Sequence, residues 1–255
     1  MVIKGNCILA AFILIINNSG YAQELTAHDI IQKFNDLMSQ PTVTAVYSMT
    51  ITTSTGKERT FVMESYSADR GKKNLIKYLS PVRVKGQTIL MLNNADDIWT
   101  YFPRTNRIRK LATHAKKQKM EGSDFSYEDM GAGNSFVKDY TSKRLKDQKV
   151  EGQPCFQVEM IKKPNTDVSY SRLVMFVRQD NFVPVIVDYY DENQPDRKIK
   201  TLKQSDIQVI DQIPTAMKIV MINDLDNSQT RMEMLEVKYN LPLKDEMFTE
   251  RGMKQ

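Results

Sequence analysis

Catalysis needs placed acids, bases, nucleophiles or metal ligands, and this chain offers few. Its two histidines, His28 and His114, lie in separate segments, and neither has a partner at metal-binding spacing. His28 falls in the first turn of an amphipathic pattern and reads as a solvated residue; His114 falls in a basic loop. Cys155 follows Pro154 with no histidine nearby and reads as a buried, inert thiol. Asp96–Asp97 and Glu128–Asp129 are adjacent carboxylates. Neighbours on a strand point to opposite faces, so these pairs suit turns and caps better than acid–base work. No glycine-rich phosphate loop occurs. The expectation is a protein with no catalytic residue, no metal and no cofactor.

Methionine is the residue that stands out. There are fifteen, and Met49, Met63, Met91, Met160, Met175, Met217, Met221, Met232 and Met234 fall in strand-like segments. An unbranched, polarizable thioether fits apolar ligands of varying shape. With Tyr47, Phe61, Trp99, Tyr101 and Phe156 on neighbouring segments, the pattern suggests a deformable apolar lining. The expected ligand-contacting set is Tyr47, Met49, Phe61, Met63, Met91, Trp99, Tyr101, Met160, Met175, Met217 and Met221. Trp99 and Tyr101 alternate with Ile98, Thr100 and Phe102, and Trp99 is assigned to the lining side.

Lys and Arg total 36 against 31 Asp and Glu, a mild excess over the whole chain. Its distribution matters more, because Arg104, Arg107, Arg109, Lys110, Lys116, Lys117 and Lys119 follow one another with no acid among them. Such a stretch is either a solvated loop or a contact for an anionic lipid surface or an acidic protein face. The contact set is Arg104, Arg107, Arg109, Lys110, Lys116 and Lys117.

These groups must be positioned by a β-rich scaffold. Thr26 and Asp29 form a capping-box pattern, and Ile30, Ile31, Phe34, Leu37 and Met38 then mark one face of a helix that stops before Pro41. Strands are expected over 43–53, 58–68, 72–79, 84–93, 97–103 and 106–111, with Thr55-Gly56, Asp69–Gly71, Asn93-Asn94 and Arg104-Thr105 in the turns. Residues 112–135 break the pattern and read as a loop plus a short helix capped by Ser123 or Asp124. Strands resume over 138–150, 155–163, 170–178, 183–191, 198–209, 215–223 and 230–240, before a short helical tail near 245–250. So long a meander must curl. The helices are too few to cover both faces, so an incomplete barrel whose mouth is covered by the first helix is expected.

Lys4, the apolar run from Cys7 to Ile16, and small residues at Gly20 and Ala22 read as a secretory signal peptide cleaved after Ala22. The run is about half the roughly 20 apolar residues a bilayer span needs. Cys7 precedes the apolar core, so it does not mark a lipidation site. The expected mature chain, 23–255, is one domain with Cys155 as its single cysteine, which leaves no intramolecular disulfide. An export signal also disfavours nucleic acid as partner.

The segments 73–81 (KNLIKYLSP), 84–92 (VKGQTILML), 97–104 (DIWTYFPR) and 122–130 (GSDFSYEDM) resemble the outer-membrane lipoprotein-sorting protein family, which includes the periplasmic carrier LolA and its receptor LolB. The resemblance implies a mainly β, half-open antiparallel barrel with a helical lid over a cavity for acyl chains. It also implies association with an RND- or MmpL-type inner-membrane exporter or an outer-membrane acceptor. Two functions follow as expectations. One is a periplasmic carrier moving lipids or lipoproteins toward the outer membrane; the other is a lipid-sensing regulatory or transporter-accessory subunit that transfers no cargo. The fold also serves an unusual biosynthetic enzyme, but no residue here supports that role.

Overall fold

A computed structural model describes residues 24–255 except Ala132 and Asn134. The expected signal peptide over 1–22 lies outside the described residues. Helix α1 (Ala27–Met38) starts as the sequence indicates: the Thr26 hydroxyl accepts from the Asp29 N–H, and the Asp29 carboxylate accepts from the Thr26 N–H. Its buried stripe is Ala27, Ile30, Ile31 and Phe34.

The chain then forms β1 (Thr42–Thr52), β2 (Glu58–Ala68), β3 (Lys73–Ser80), β4 (Thr88–Leu92), β5 (Asp97–Phe102) and β6 (Arg107–Lys110). After residues 111–139 come β7 (Tyr140–Arg144), β8 (Gln148–Val150), β9 (Gln153–Lys162), β10 (Tyr170–Arg178), β11 (Pro184–Asp191), β12 (Lys198–Ile210), β13 (Ile213–Asn223) and β14 (Ser228–Tyr239). All fourteen belong to one sheet ordered β6-β5-β4-β3-β2-β1-β14-β13-β12-β11-β10-β9-β7, with β8 also on β9. The first and last strands pair at its centre, where Met49 faces Met232. The edges are β6 and β7, so the barrel is left open between them, as an incomplete barrel must be. One apolar cluster joins side chains from β1 to β5 and β9 to β14 with α1 and residues 120–127. Only a curled sheet brings such distant strands to one core.

Two of the expected strands differ in more than their end residues. Residues 81–86 turn rather than extend, with the Tyr78 N–H donating to the Gln87 carbonyl and the Gly86 N–H to the Tyr78 carbonyl. Gly86 has φ +80°, which favours glycine. The expected strand over 138–150 is shorter and divided, because α3 (Ser135–Asp139) precedes β7.

The outer face of β3 to β6 is covered as well. Leu75, Leu90, Trp99, Tyr101 and Ile108 pack with Leu243, Met247, Phe248 and Met253 of the C-terminal tail. A Cβ at Gly252 would lie 2.3 Å from the Glu246 carbonyl oxygen, so that tail closes on itself only around glycine.

Candidate functional site

On β1, alternation turns Val43, Ala45, Tyr47, Met49 and Ile51 to the concave side of the sheet. The structure brings together eight of the expected ligand-contacting residues there: Tyr47, Met49, Phe61, Met63, Met91, Met160, Met175 and Met221 are all buried in the interior cluster. Met217 is half-buried on β13, outside that cluster. Trp99 and Tyr101 correct the assignment made from sequence. They sit on the convex face, because Leu90 pairs with Trp99 under the tail while Met91 pairs with Ile98 on the interior side. Both faces of β5 are apolar, so alternation alone could not say which was which.

The interior is filled by the protein's own side chains. Ile30, Ile31 and Phe34 of α1 enter from one side, and Met120, Phe125 and Tyr127 of the 111–139 segment from the other. Phe34 meets Phe136 with ring centroids 5.7 Å apart. An apolar crevice of about 160 Å³ opens beneath the C-terminal end of α1, lined by Leu37, Met38, Val43, Ala45, Ile219 and Met234 among others. Tyr47 does not line it, although its cross-strand partner Met234 does. The Tyr47 and Tyr78 hydroxyls are buried without a hydrogen-bond partner among the described residues, and burial pushes both phenol pKa values up. Each unpaired buried donor costs about 1–3 kcal/mol. Of the crevice wall, Met234 stands among the strand methionines of the sequence, whereas Ile219 and the interior Tyr78 were not singled out; the alternation in β3 marks Tyr78, but nothing local marks the crevice.

Residues 111–139 act as a plug held by polar contacts. Asp124, 1 % exposed, accepts from the hydroxyls of Ser228 at 2.6 Å and Thr230 at 2.8 Å, from the Asn223 amide at 3.2 Å and from the Lys119 ammonium at 3.4 Å. Lys119 also pairs with Asp226, whose carboxyl that ammonium holds below its usual range. The cap of α2 (Tyr127–Gly131) is Ser126, whose hydroxyl accepts from the Asp129 N–H at 3.0 Å, rather than Ser123 or Asp124. Of the adjacent carboxylates, Asp129 caps this helix and accepts from the Tyr170 hydroxyl at 2.9 Å. Glu128 accepts from the N–H and hydroxyl of Ser169. Burial raises the Glu128 pKa, and the Ser169 hydrogen bonds only partly oppose this.

The basic stretch does not form one surface. Lys110 pairs with Asp97 at 2.6 Å and lies over the Trp99 ring. Lys116, buried, pairs with Asp96 at 2.9 Å and Asp167 at 3.1 Å. Lys117 pairs with Asp167 and Glu192, both at 3.1 Å. These ion pairs offset the charge of the three lysines, and Lys116 is buried as well, while Lys110 stays exposed. Asp167 and Glu192 are remote in sequence and could not be matched to them in advance. Arg104, Arg107 and Arg109 remain, and they converge with Arg83 on a separate cleft of about 530 Å³.

Among the described residues, no group of His, Cys, Asp and Glu is arranged to hold a metal ion, and no helix is long and apolar enough to cross a membrane. Cys155 is buried, and burial raises its thiol pKa, which leaves it protonated and inert.

A family model described as "Uncharacterized protein" matches residues 70–255. No curated protein matches the chain. Among solved structures, the chain is similar to a domain from Vibrio parahaemolyticus named for outer membrane lipoprotein sorting, with 23% identity, TM-score 0.80, and coverage of 90% of this chain and 98% of that one. It is similar to a DUF1329 family protein from Desulfovibrio piger, with 26% identity, TM-score 0.80, and coverage of 89% and 97%. A LolA superfamily protein from Nitrosomonas europaea matches with 19% identity, TM-score 0.74, and coverage of 90% and 100%.

Proposed function

Because the chain belongs to the family whose model spans residues 70–255 and has the fold of the outer-membrane lipoprotein-sorting and LolA superfamily proteins, we propose that it is a periplasmic binding protein, not an enzyme, that shelters acyl chains of lipids or lipoproteins. The observation that carries this reading is the apolar crevice under the C-terminal end of α1, whose Ala45, Ile219 and Met234 pack against the methionine-rich interior cluster. At about 160 Å³ it is smaller than the usual 300–1,000 Å³ ligand site. An acyl chain therefore has to displace part of α1.

The energies allow this exchange only for long chains. Lifting Ile30, Ile31 and Phe34 out of the core costs about 5–9 kcal/mol at about 1.5–3 kcal/mol per side chain. Each methylene that takes their place returns about 0.8 kcal/mol. About ten methylenes offset the lid, while four or five do not.

In the wider reading the protein carries its cargo toward the outer membrane, with an RND- or MmpL-type exporter as the inner-membrane source. A second reading is favoured by the pinned plug, which leaves little interior free: a lipid-sensing or transporter-accessory subunit that binds without transfer. Transfer of a labelled lipid between two vesicle populations separates the two. Native mass spectrometry of protein purified in mild detergent tests binding itself. Long acyl chains should be retained or taken up and short ones not, and Ala216→Trp, which fills the crevice wall, should abolish uptake while leaving the fold intact. A protein that takes up no acyl chain of any length ends the proposal.

A further inference from the structure

The second cleft lies away from the acyl crevice and has a different chemistry. Arg83 reaches it from the 81–87 turn, Arg104 from the turn Pro103–Thr105, and Arg107 and Arg109 from β6. Period-two spacing on β6 puts Arg107 and Arg109 on one side and Ile108 and Lys110 on the other, and Ile108 indeed packs under the tail. Val84, Phe102 and Pro103 form apolar walls, and Gln87, whose amide N–H donates to the Glu121 carboxylate at 2.8 Å, also lines the cleft. Arg109 lies 5.7 Å from the Phe102 ring centroid and Arg83 5.9 Å from that of Phe61, contacts that favour guanidinium over ammonium and hold it in place.

We propose that this four-arginine cleft binds a phosphoryl group, carried either by a soluble phosphoester or by a lipid headgroup. Among the described residues, Lys110, Lys116, Lys117 and Lys119 each meet a carboxylate within 4 Å, whereas no ion pair joins an acidic side chain to Arg83, Arg104, Arg107 or Arg109. Four cations converging from two turns and a strand repel one another, and an anion seated between them removes that repulsion. A carboxylate's two oxygens are satisfied by a single guanidinium fork. A phosphoryl group carries three strong acceptor oxygens and up to two charges, so it can engage several forks at once. The cleft volume of about 530 Å³ is ample for the group and a small organic remainder. This inference does not rest on acyl binding, because the two sites share no lining residue.

The test uses the full mature chain at low ionic strength, with glycerol 3-phosphate and inorganic phosphate as soluble probes and acetate and chloride at matched ionic strength as controls. Calorimetry should show saturable binding of the phosphates alone. Arg104→Gln, Arg107→Gln and Arg109→Gln should each weaken it about tenfold, and Lys57→Gln, an exposed charge outside the cleft lining, should not. Unchanged circular dichroism certifies that the variants fold. Flotation with phosphatidylcholine vesicles, with and without phosphatidylglycerol, identifies the source. Binding of the phosphatidylglycerol vesicles that is lost in the triple arginine variant points to a headgroup; binding of the soluble probes alone points to a free phosphoester. Either result supports the site. Equal binding of acetate, equal weakening by Lys57→Gln, or undiminished phosphate binding by the triple variant overturns it.

Discussion

Two segments cover the concave face of this sheet, and they are held there by different physics. Helix α1 is fixed mainly by apolar contacts: Ile30, Ile31 and Phe34 in the core, Phe34 against Phe136, and Lys33 over the Phe182 ring. The plug at residues 111–139 is pinned by charge and hydrogen bonds, through Asp124 to β13 and β14, Lys116 and Lys117 to Asp167, and Glu128 to Ser169. Apolar contacts are non-directional and can be exchanged for those of another apolar surface. A buried polar network cannot be exchanged without leaving charges unpaired. The plug thus belongs to the fold, and α1 is the part that the proposed acyl ligand would displace.

The largest expected effect breaks the pinned side. Asp124→Ala leaves Lys119, Asn223, Ser228 and Thr230 facing a missing acceptor, and losing one partner of a buried charged network costs about 3–5 kcal/mol. Chemical denaturation should show that loss for the whole molecule, in one transition. A cost near zero would mean the plug is not integral to the fold.

Phe34→Ala sharpens the other side. It removes a buried ring from the lid, with an expected cost of at most about 3 kcal/mol, the low end for burying phenylalanine in a rigid core. The loss should be local. Hydrogen exchange should speed up in residues 27–38 and stay unchanged in β13 and β14, and acyl uptake should become faster. Uniform acceleration across the sheet would show that α1 opens only with the whole domain.

The difference between these segments was only half visible in the sequence. The amphipathic spacing of Ile30, Ile31, Phe34, Leu37 and Met38 gave α1 and the buried Ile30, Ile31 and Phe34, because helical periodicity is local, while Leu37 is only half-buried and Met38 exposed at the helix end. The same holds for the strands and for the methionine face, whose alternation is read residue by residue. The plug's role was hidden because its partners lie far along the chain: Asp124 meets Ser228 and Thr230, and Lys117 meets Glu192. A run of cations reads as one surface until the acids that neutralise part of it are placed. The arginine cleft was likewise half legible, with Arg104, Arg107 and Arg109 evident and Arg83 joined to them only by the 81–87 turn.

A smaller effect comes from pH and again belongs to the plug. Burial raises the Glu128 pKa above its unfolded value of 4.5, so the native state holds that proton more tightly than the unfolded chain. The favourable contribution is complete below the unfolded value and is lost as pH rises through the folded one. Glu128→Gln removes this dependence while keeping an acceptor for Ser169. The variant should match the parent near pH 4 and become progressively more stable than it toward pH 8. Asp167 and Asp226, held low by Lys117 and Lys119 respectively, act in the opposite sense: their contribution is present above about 3.8 and lost as pH falls through their lower folded values. Thermal denaturation across pH 3 to 8 reads both, and a parent–variant difference that does not change with pH would separate Glu128 from the plug's stability.

The smallest expected effect is an absence of change, and it tests which face of the sheet meets the ligand. Trp99 is the sole tryptophan, and it lies on the convex face with Lys110 4.9 Å from its ring and the tail residues Phe248 and Met253 in the same cluster. A brominated acyl chain in the crevice under α1 is separated from the indole by the sheet itself, so saturation should leave the emission unquenched even as mass spectrometry shows the site occupied. Phe248→Ala, which loosens the tail, should shift the emission to the red without changing acyl affinity, since a partly uncovered indole meets water. A saturable quench by the brominated chain would place the acyl group between tail and sheet, on the convex side. The tail would then be the displaceable cover in place of α1.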